Sequence, residues 1–363
     1  MVVVGDSLSA GFQNFSLFDQ GTFAGQRNGF AALVAQQAGA NVTLPLISYP
    51  GLPPALYIDP STGHILQNTT VGARTNPGVQ AYNLSVPGFT LENILAYSVN
   101  TAQPIVNPID GLALSILATP ATPTPCGVVA DSPSGEVTMS EVVCALKLNP
   151  HTILASAGNN DALQSLTTGT PPTDPLTFTL SYAAFLGTLS TTRAKIVLGN
   201  IPDVTALPFL IPASAFLQAC GSLPSGMTSA DYVVPNITAP IIGPFNICQD
   251  YAIRKASLIT QTRNAIKLYN TIIKEQASVF GAVVVDVNSV LGNIAQHGYK
   301  VNNVTLTTMA GGGLFSLDDI HPTNTGYAIL ANAYIDAMNA KLGTSIPEVS
   351  VAAIEAVDPL APH

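Results

Sequence analysis

The chain has 363 residues and a formal net charge of −9, and only 9% of it is charged, against about 25% in an ordinary soluble protein. Hydrophobic residues make up 47%, which excludes a disordered chain, since disorder needs high charge and little apolar surface. The few Lys and Arg are scattered without a cluster, so neither a nucleic-acid face nor electrostatic docking on an anionic membrane is expected, and no window of about 18 uninterrupted apolar residues predicts a transmembrane helix.

In chain order, short apolar runs rich in β-branched residues alternate with helical patterns, which predicts a parallel sheet with crossover helices. The first strand, Met1–Val4, starts at once, with no basic, apolar and small-residue series of a signal peptide before it. That start fits either a cytoplasmic protein or one whose leader has been removed. A helix over Phe23–Ala38 and a strand over Val42–Ile47 follow. Tyr49–Gly78, dense in Pro, Gly, Ser and Thr, reads as a first insertion. Strand Gln80–Leu84 and helix Thr90–Ala96 come next, then a second insertion at Thr119–Gly135. Helix Ser140–Lys147, strand Thr152–Ser156, helix Thr177–Leu189 and strand Ile196–Leu198 lead to a third insertion, Pro202–Asn246. The clearest helix spans Tyr251–Gln276, with Ile253, Ile259, Ile266 and Ile273 in an apolar stripe and Arg254, Lys255, Arg263 and Lys267 on a wet face. Strand Val283–Val287 and helix Asn324–Leu342 complete the pattern. Residues 1–345 are expected to form one α/β domain carrying the three insertions, with 346–363 a docked or frayed tail.

The four cysteines fall as two local couples, Cys126 with Cys144 and Cys220 with Cys248. Their spacing fits no metal motif, and their even number in loop-rich segments predicts two disulfides. That favours a secreted or otherwise extracytoplasmic protein over a cytoplasmic one. The remaining histidines, His64, His151, His297 and His363, stand apart from one another and from cysteine, so no metal site is expected, and without a phosphate-cradling Gly-rich loop of the P-loop or dinucleotide type no organic cofactor is expected either.

Strand Met1–Val4 runs directly into Gly5-Asp6-Ser7-Leu8, which sets a serine at the carboxyl end of the first parallel strand, where open α/β sheets bind ligands. Such a turn is also an ordinary helix cap. Near the other end, Asp318-Asp319-Ile320-His321-Pro322 supplies an imidazole and a carboxylate. A serine hydroxyl barely ionises at neutral pH and needs a base, and the base needs an acceptor on its other ring nitrogen. Asp318, three residues before His321, can fold back onto it, whereas Asp319 points elsewhere. Two further blocks offer hydrogen-bond donors to a developing oxyanion: Val86-Pro87-Gly88 after Gln80–Leu84, and Gly158-Asn159-Asn160-Asp161 after Thr152–Ser156.

The ordered series of four blocks resembles the GDSL (SGNH) hydrolase family of serine esterases and lipases, named for a Ser, a Gly, an Asn and a His. The resemblance implies a flavodoxin-like three-layer α/β/α sandwich with strand order 2-1-3-4-5. It implies Ser7 as nucleophile, His321 as base and then acid, and Asp318 orienting His321. It also implies an oxyanion hole made by the N–H groups of Ser7 and Gly88 with the Asn160 amide, Asp6 and Asp161 being supporting residues. The expected activity is hydrolysis of lipid-like or short acyl esters through an acyl-enzyme. An acetyl-carbohydrate esterase, an acyltransferase and a secreted binding protein that keeps only the fold stand as alternatives. The insertions are expected to border the site and choose its small-molecule or lipid ester substrate.

Overall fold

A computed structural model describes residues 1–21, 23–100, 105, 107–118, 126–131, 135–236 and 246–362. Parts of the second and third insertions (119–125, 132–134 and 237–245) and His363 lie outside the described residues.

Four parallel strands form the central sheet: β1 (Val2–Gly5), β2 (Thr152–Ser156), β3 (Lys195–Gly199) and β4 (Val283–Val285), in that spatial order. Val3 stands opposite Leu154, Leu154 opposite Val197, and Val197 opposite Val283. Val2, Val3, Val4, Ile153, Leu154, Val197 and Leu198 are wholly buried. Runs without polar alternation are what a parallel sheet covered on both faces requires.

Two expected strands are not strands. Gln80–Leu84 makes a single parallel bridge to β1, in which Val3 N–H donates to the Tyr82 carbonyl at 2.8 Å and Leu84 N–H donates to the Val3 carbonyl at 2.9 Å. It still occupies the second-strand position at the edge of β1, so the chain path keeps the order 2-1-3-4-5. Val42–Ile47 contains Pro45, which has no N–H to give to a ladder. The Gln26 carboxamide holds that segment instead, donating to the Pro45 carbonyl at 2.9 Å and accepting from Ile47 N–H at 2.8 Å.

The helices are α1 (Ser7–Ala10), α2 (Phe30–Gln37), α3 (Leu91–Ala96), α4 (Pro108–Leu117), α5 (Glu141–Leu148), α6 (Asn159–Thr167), α7 (Pro175–Ser190), α8 (Ala213–Cys220), α9 (Ala256–Phe280), α10 (Val287–His297), α11 (Asn324–Leu342) and α12 (Val351–Glu355). Helix α11 packs on α2, β3 and β4, while α3, α5, α7 and α9 pack on one another across the sheet. These are the two outer layers of the three-layer sandwich.

Several helix boundaries move for local reasons. The helix expected from Phe23 begins at Phe30, because Gly25, at φ +96°, turns the chain so tightly that a Cβ there would lie 2.1 Å from the Phe18 carbonyl oxygen. The helix expected from Tyr251 begins at Ala256. Tyr251–Arg254 is instead an edge strand paired with Tyr232–Pro235 in a small antiparallel sheet. Ile253 and Tyr251 pack there on Phe216, Met227 and Val233, and Asp231 accepts from Ala256 N–H at 2.9 Å to start the helix. Strand β4 stops at Val285 because Asp286 caps α10, accepting from Ser289 N–H at 3.1 Å. Both disulfides, Cys126–Cys144 and Cys220–Cys248, are formed.

Candidate active site

Strand β1 ends at Gly5, whose φ is +136°. A Cβ at this position would lie 2.0 Å from the Ser156 carbonyl oxygen, so only glycine fits. Asp6 then caps α1, accepting from Leu8 N–H at 3.2 Å, and Ser7 becomes the first helical residue. Being in the first turn, the Ser7 N–H has no helical partner, and it makes no hydrogen bond to another described residue. Asp6 is fully buried, and that burial pushes its pKa up to about 7 even though the Asn159 amide and Leu8 N–H favour the anion.

Each residue of the block at the start of α6 is tied to the surrounding site. Asn159 Nδ2 donates to Asp6 Oδ2 at 2.8 Å and to Ser156 Oγ at 2.9 Å. Asn160 Nδ2 donates to the Phe89 carbonyl at 2.9 Å, which brings its amide beside Gly88. Asp161 Oδ2 accepts from Leu91 N–H at 2.9 Å, and burial raises its pKa to about 6. Gly88 itself is exposed, at φ +89°, and its N–H makes no bond to another described residue. Two free backbone donors and the second hydrogen of the Asn160 amide are therefore available for an oxyanion.

His321 sits on a loop of residues 313–323, closed by a bridge between Phe315 and Pro322. His321 Nδ1 lies 3.0 Å from Asp318 Oδ2, with both side chains buried. Asp318 also accepts from His321 N–H at 2.8 Å, Ile320 N–H at 2.9 Å and Phe15 N–H at 2.6 Å. Burial would raise its pKa, but the His321 charge and these donors outweigh burial and hold it below the usual carboxylate range. Asp319, at φ +57°, bonds through its backbone to Ser316 and Phe209 rather than to His321. Burial and the neighbouring Asp318 raise its pKa to about 7. Phe12 packs edge-on against the His321 ring, with centroids 4.8 Å apart. Ser7 and His321 line one cavity of about 90 Å³.

A serine just past the first strand and a histidine from a loop over 300 residues later, itself bonded to Asp318, thus meet at one cavity. Residues 1–334 match the GDSL-like lipase/acylhydrolase family. The chain belongs to that family. As a GDSL hydrolase it cleaves carboxylic esters. Similar solved structures include the acetylxylan esterase Axe2 from Geobacillus stearothermophilus, at 12% identity and TM-score 0.42, covering 93% of this chain and 92% of that one. Others are a lipase/acylhydrolase from Enterococcus faecalis (13% identity, TM-score 0.38, covering 96% and 100% of the two chains) and a putative GDSL-like lipase from Parabacteroides merdae (13%, 0.40, 94% and 95%). A search of curated proteins found no match.

Four GDSL-site contributors were not visible as motifs. Glu141, wholly buried at the start of α5, accepts from Gly5 N–H at 2.8 Å and Val86 N–H at 3.0 Å. It ties the strand that leads to Ser7 to the loop that carries Gly88, and burial raises its pKa well above the ordinary value despite those two donors. Asn159 stands in a block whose next two residues carry the motif. Asn14 accepts from Leu317 N–H at 3.0 Å while its own N–H donates to Ser316 Oγ at 2.9 Å. The tail, finally, is docked. Asp358 Oδ2 accepts from Thr325 N–H at 2.8 Å and from Thr325 Oγ1 at 2.7 Å, and Pro362 packs against Gly313. Residues beyond the family match thus hold both ends of the His321 loop. A buried Glu just after a Ser at a helix start is a signal that could have drawn notice; the other three depend on partners hundreds of residues away or on tail docking.

Proposed function

We propose that this GDSL hydrolase acts through an acyl-enzyme on Ser7. The observation that carries the reading is the 3.0 Å contact between His321 Nδ1 and Asp318 Oδ2 beside a cavity that Ser7 also lines. With the Nδ1 proton given to Asp318 as a hydrogen bond, Nε2 is the basic nitrogen. It takes the Ser7 Oγ proton as Oγ bonds to the ester carbonyl carbon, and the carbonyl oxygen becomes an oxyanion facing the N–H groups of Ser7 and Gly88 and the Asn160 amide. Collapse of this intermediate breaks the bond to the alcohol oxygen, which leaves with the proton from His321. Water, deprotonated by His321, then attacks the acyl-serine; the acid is released and Ser7 Oγ recovers its proton. Asp318 remains ionised throughout and stabilises the imidazolium.

The two disulfides support an extracytoplasmic location, because such bonds persist in oxidising compartments. No helix among the described residues is long and apolar enough to cross a membrane. The test of the catalytic reading is steady-state hydrolysis of p-nitrophenyl butyrate. Ser7→Ala and His321→Ala should each lower kcat about 10³-fold or more with the fold intact by circular dichroism. A Ser7→Ala protein with near wild-type turnover would remove Ser7 from the nucleophile role.

A further inference from the structure

We infer that the face of α10 turned toward Ser7 is a binding site for an unbranched alkyl chain of the ester, and that Val290 and Leu291 set its length. The inference rests on the serine-hydrolase reading above and names the substrate class for it. Val287, Val290, Leu291 and Ile294 fall at i, i+3, i+4 and i+7, one apolar stripe of α10. All four line the cavity that Ser7 and His321 line. A stripe packed into a core would be buried throughout, yet Val290 and Leu291 stay half-buried. The stripe is thus incompletely covered near its middle, and it forms part of the wall that Ser7 and His321 also line.

The chemistry of the wall narrows the ligand. Its polar members are Ser7, Asn159 and His321. Both amide hydrogens of Asn159 are spent, on Asp6 and Ser156, and His321 Nδ1 is spent on Asp318. Beyond the reacting atoms, the Asn159 carbonyl oxygen is the one side-chain acceptor among the described lining residues for a sugar's several hydroxyls, and burying a hydroxyl without a partner is unfavourable. An apolar cavity of this kind stays poorly hydrated and is filled well by hydrocarbon. Its small volume, about 90 Å³, suits a single unbranched chain. Among the described residues, the insertions reach this wall through the start of the last one, by Pro202, Val204 and Leu207.

Because His321 protonates the departing alcohol, the chain in this cavity can belong to the acyl or to the alcohol side of the ester. Two substrate series that share one member separate these. Starting from ethyl acetate, one series lengthens the acid (ethyl butanoate to ethyl octanoate) and the other the alcohol (butyl to octyl acetate), with turnover followed by pH-stat. The wild-type kcat/KM should rise with length in one series, by about tenfold or more from two to eight carbons. Val290→Phe should abolish that rise, lowering the eight-carbon ester at least about tenfold more than ethyl acetate, while Leu291→Ala should move the optimum to longer chains. Flat profiles in both series, or Val290→Phe lowering ethyl acetate as much as the eight-carbon ester, would overturn the inference while the serine-hydrolase reading stands. No turnover of any ester, with Ser7 unmodified by a fluorophosphonate, would overturn both.

Discussion

Ser7 and His321, the proposed nucleophile and base, are held by different means. Ser7 and the Gly88 loop sit at the ends of sheet segments, and buried polar side chains fix them from below: Glu141 clasps Gly5 and Val86, and Asp6, Asn159 and Ser156 form a chain of hydrogen bonds. His321 lies outside the sheet, on a loop with no ladder of its own. Its position comes from contacts distant in sequence, with residues 12–15 on one side and the C-terminal tail on the other. The lesson is that the sheet supplies one rigid half of the site, and the chain's two ends must come together to supply the other.

Four substitutions test that division, in order of expected effect. Asp318→Ala removes the acceptor that orients His321 and also strands three backbone N–H groups; kcat should fall roughly 10²-fold, less than for His321→Ala, because the loop bridge and the Phe12 contact still position the ring. A loss as complete as that of His321→Ala would mean that Asp318 alone holds the base. Glu141→Gln leaves one acceptor oxygen for two donors and turns an amide toward the other. A misplaced nucleophile or oxyanion donor is costly, so kcat should drop about 10- to 100-fold with KM nearly unchanged; an unchanged kcat with a lowered Tm would reduce Glu141 to a stabilising residue.

Asp358→Ala strands the buried Thr325 N–H, which costs about 1–3 kcal/mol of stability, and it should slow kcat only about threefold through the loosened His321 loop. Wild-type kcat in this variant would remove the tail from the site's support. Asp319→Asn should leave kcat within about twofold but change how stability depends on pH. With its pKa raised to about 7, folded Asp319 favours the proton. Its contribution is therefore present below the ordinary value near 3.8 and lost as pH climbs through about 7. Asparagine tolerates the left-handed backbone at this position and carries no such loss. The variant's Tm relative to wild type should be higher at pH 8 than at pH 4, and an equal difference at both would contradict the assignment.

The same division explains what the sequence revealed. The four strand runs and the Ser7, Gly88, Asn160 and His321 blocks are local features: β-branched stretches and turns that need no distant partner to be recognised. Helix α11 was legible to the residue, since Thr323 caps it and Gly343 ends it. Val42–Ile47 looked like a strand because hydropathy does not register that Pro45 forfeits a ladder bond. Tyr251–Arg254 looked helical because its apolar residues continue the period of α9, although they pack on a separate small cluster with Phe216. The roles of Glu141, Asn14 and Asp358 depend on partners brought close only by the complete topology. The α10 stripe was hidden in another way: Val287 reads as the last residue of a strand, which masks the helix beginning there.

The central claim, that Ser7 is activated by His321 across the length of the chain, is tested most directly by labelling the folded protein with a fluorophosphonate and locating the adduct by peptide mass mapping. The account predicts one adduct, on Ser7, lost in Ser7→Ala and formed far more slowly in His321→Ala. An adduct on another residue, or labelling of His321→Ala at the wild-type rate, would contradict it.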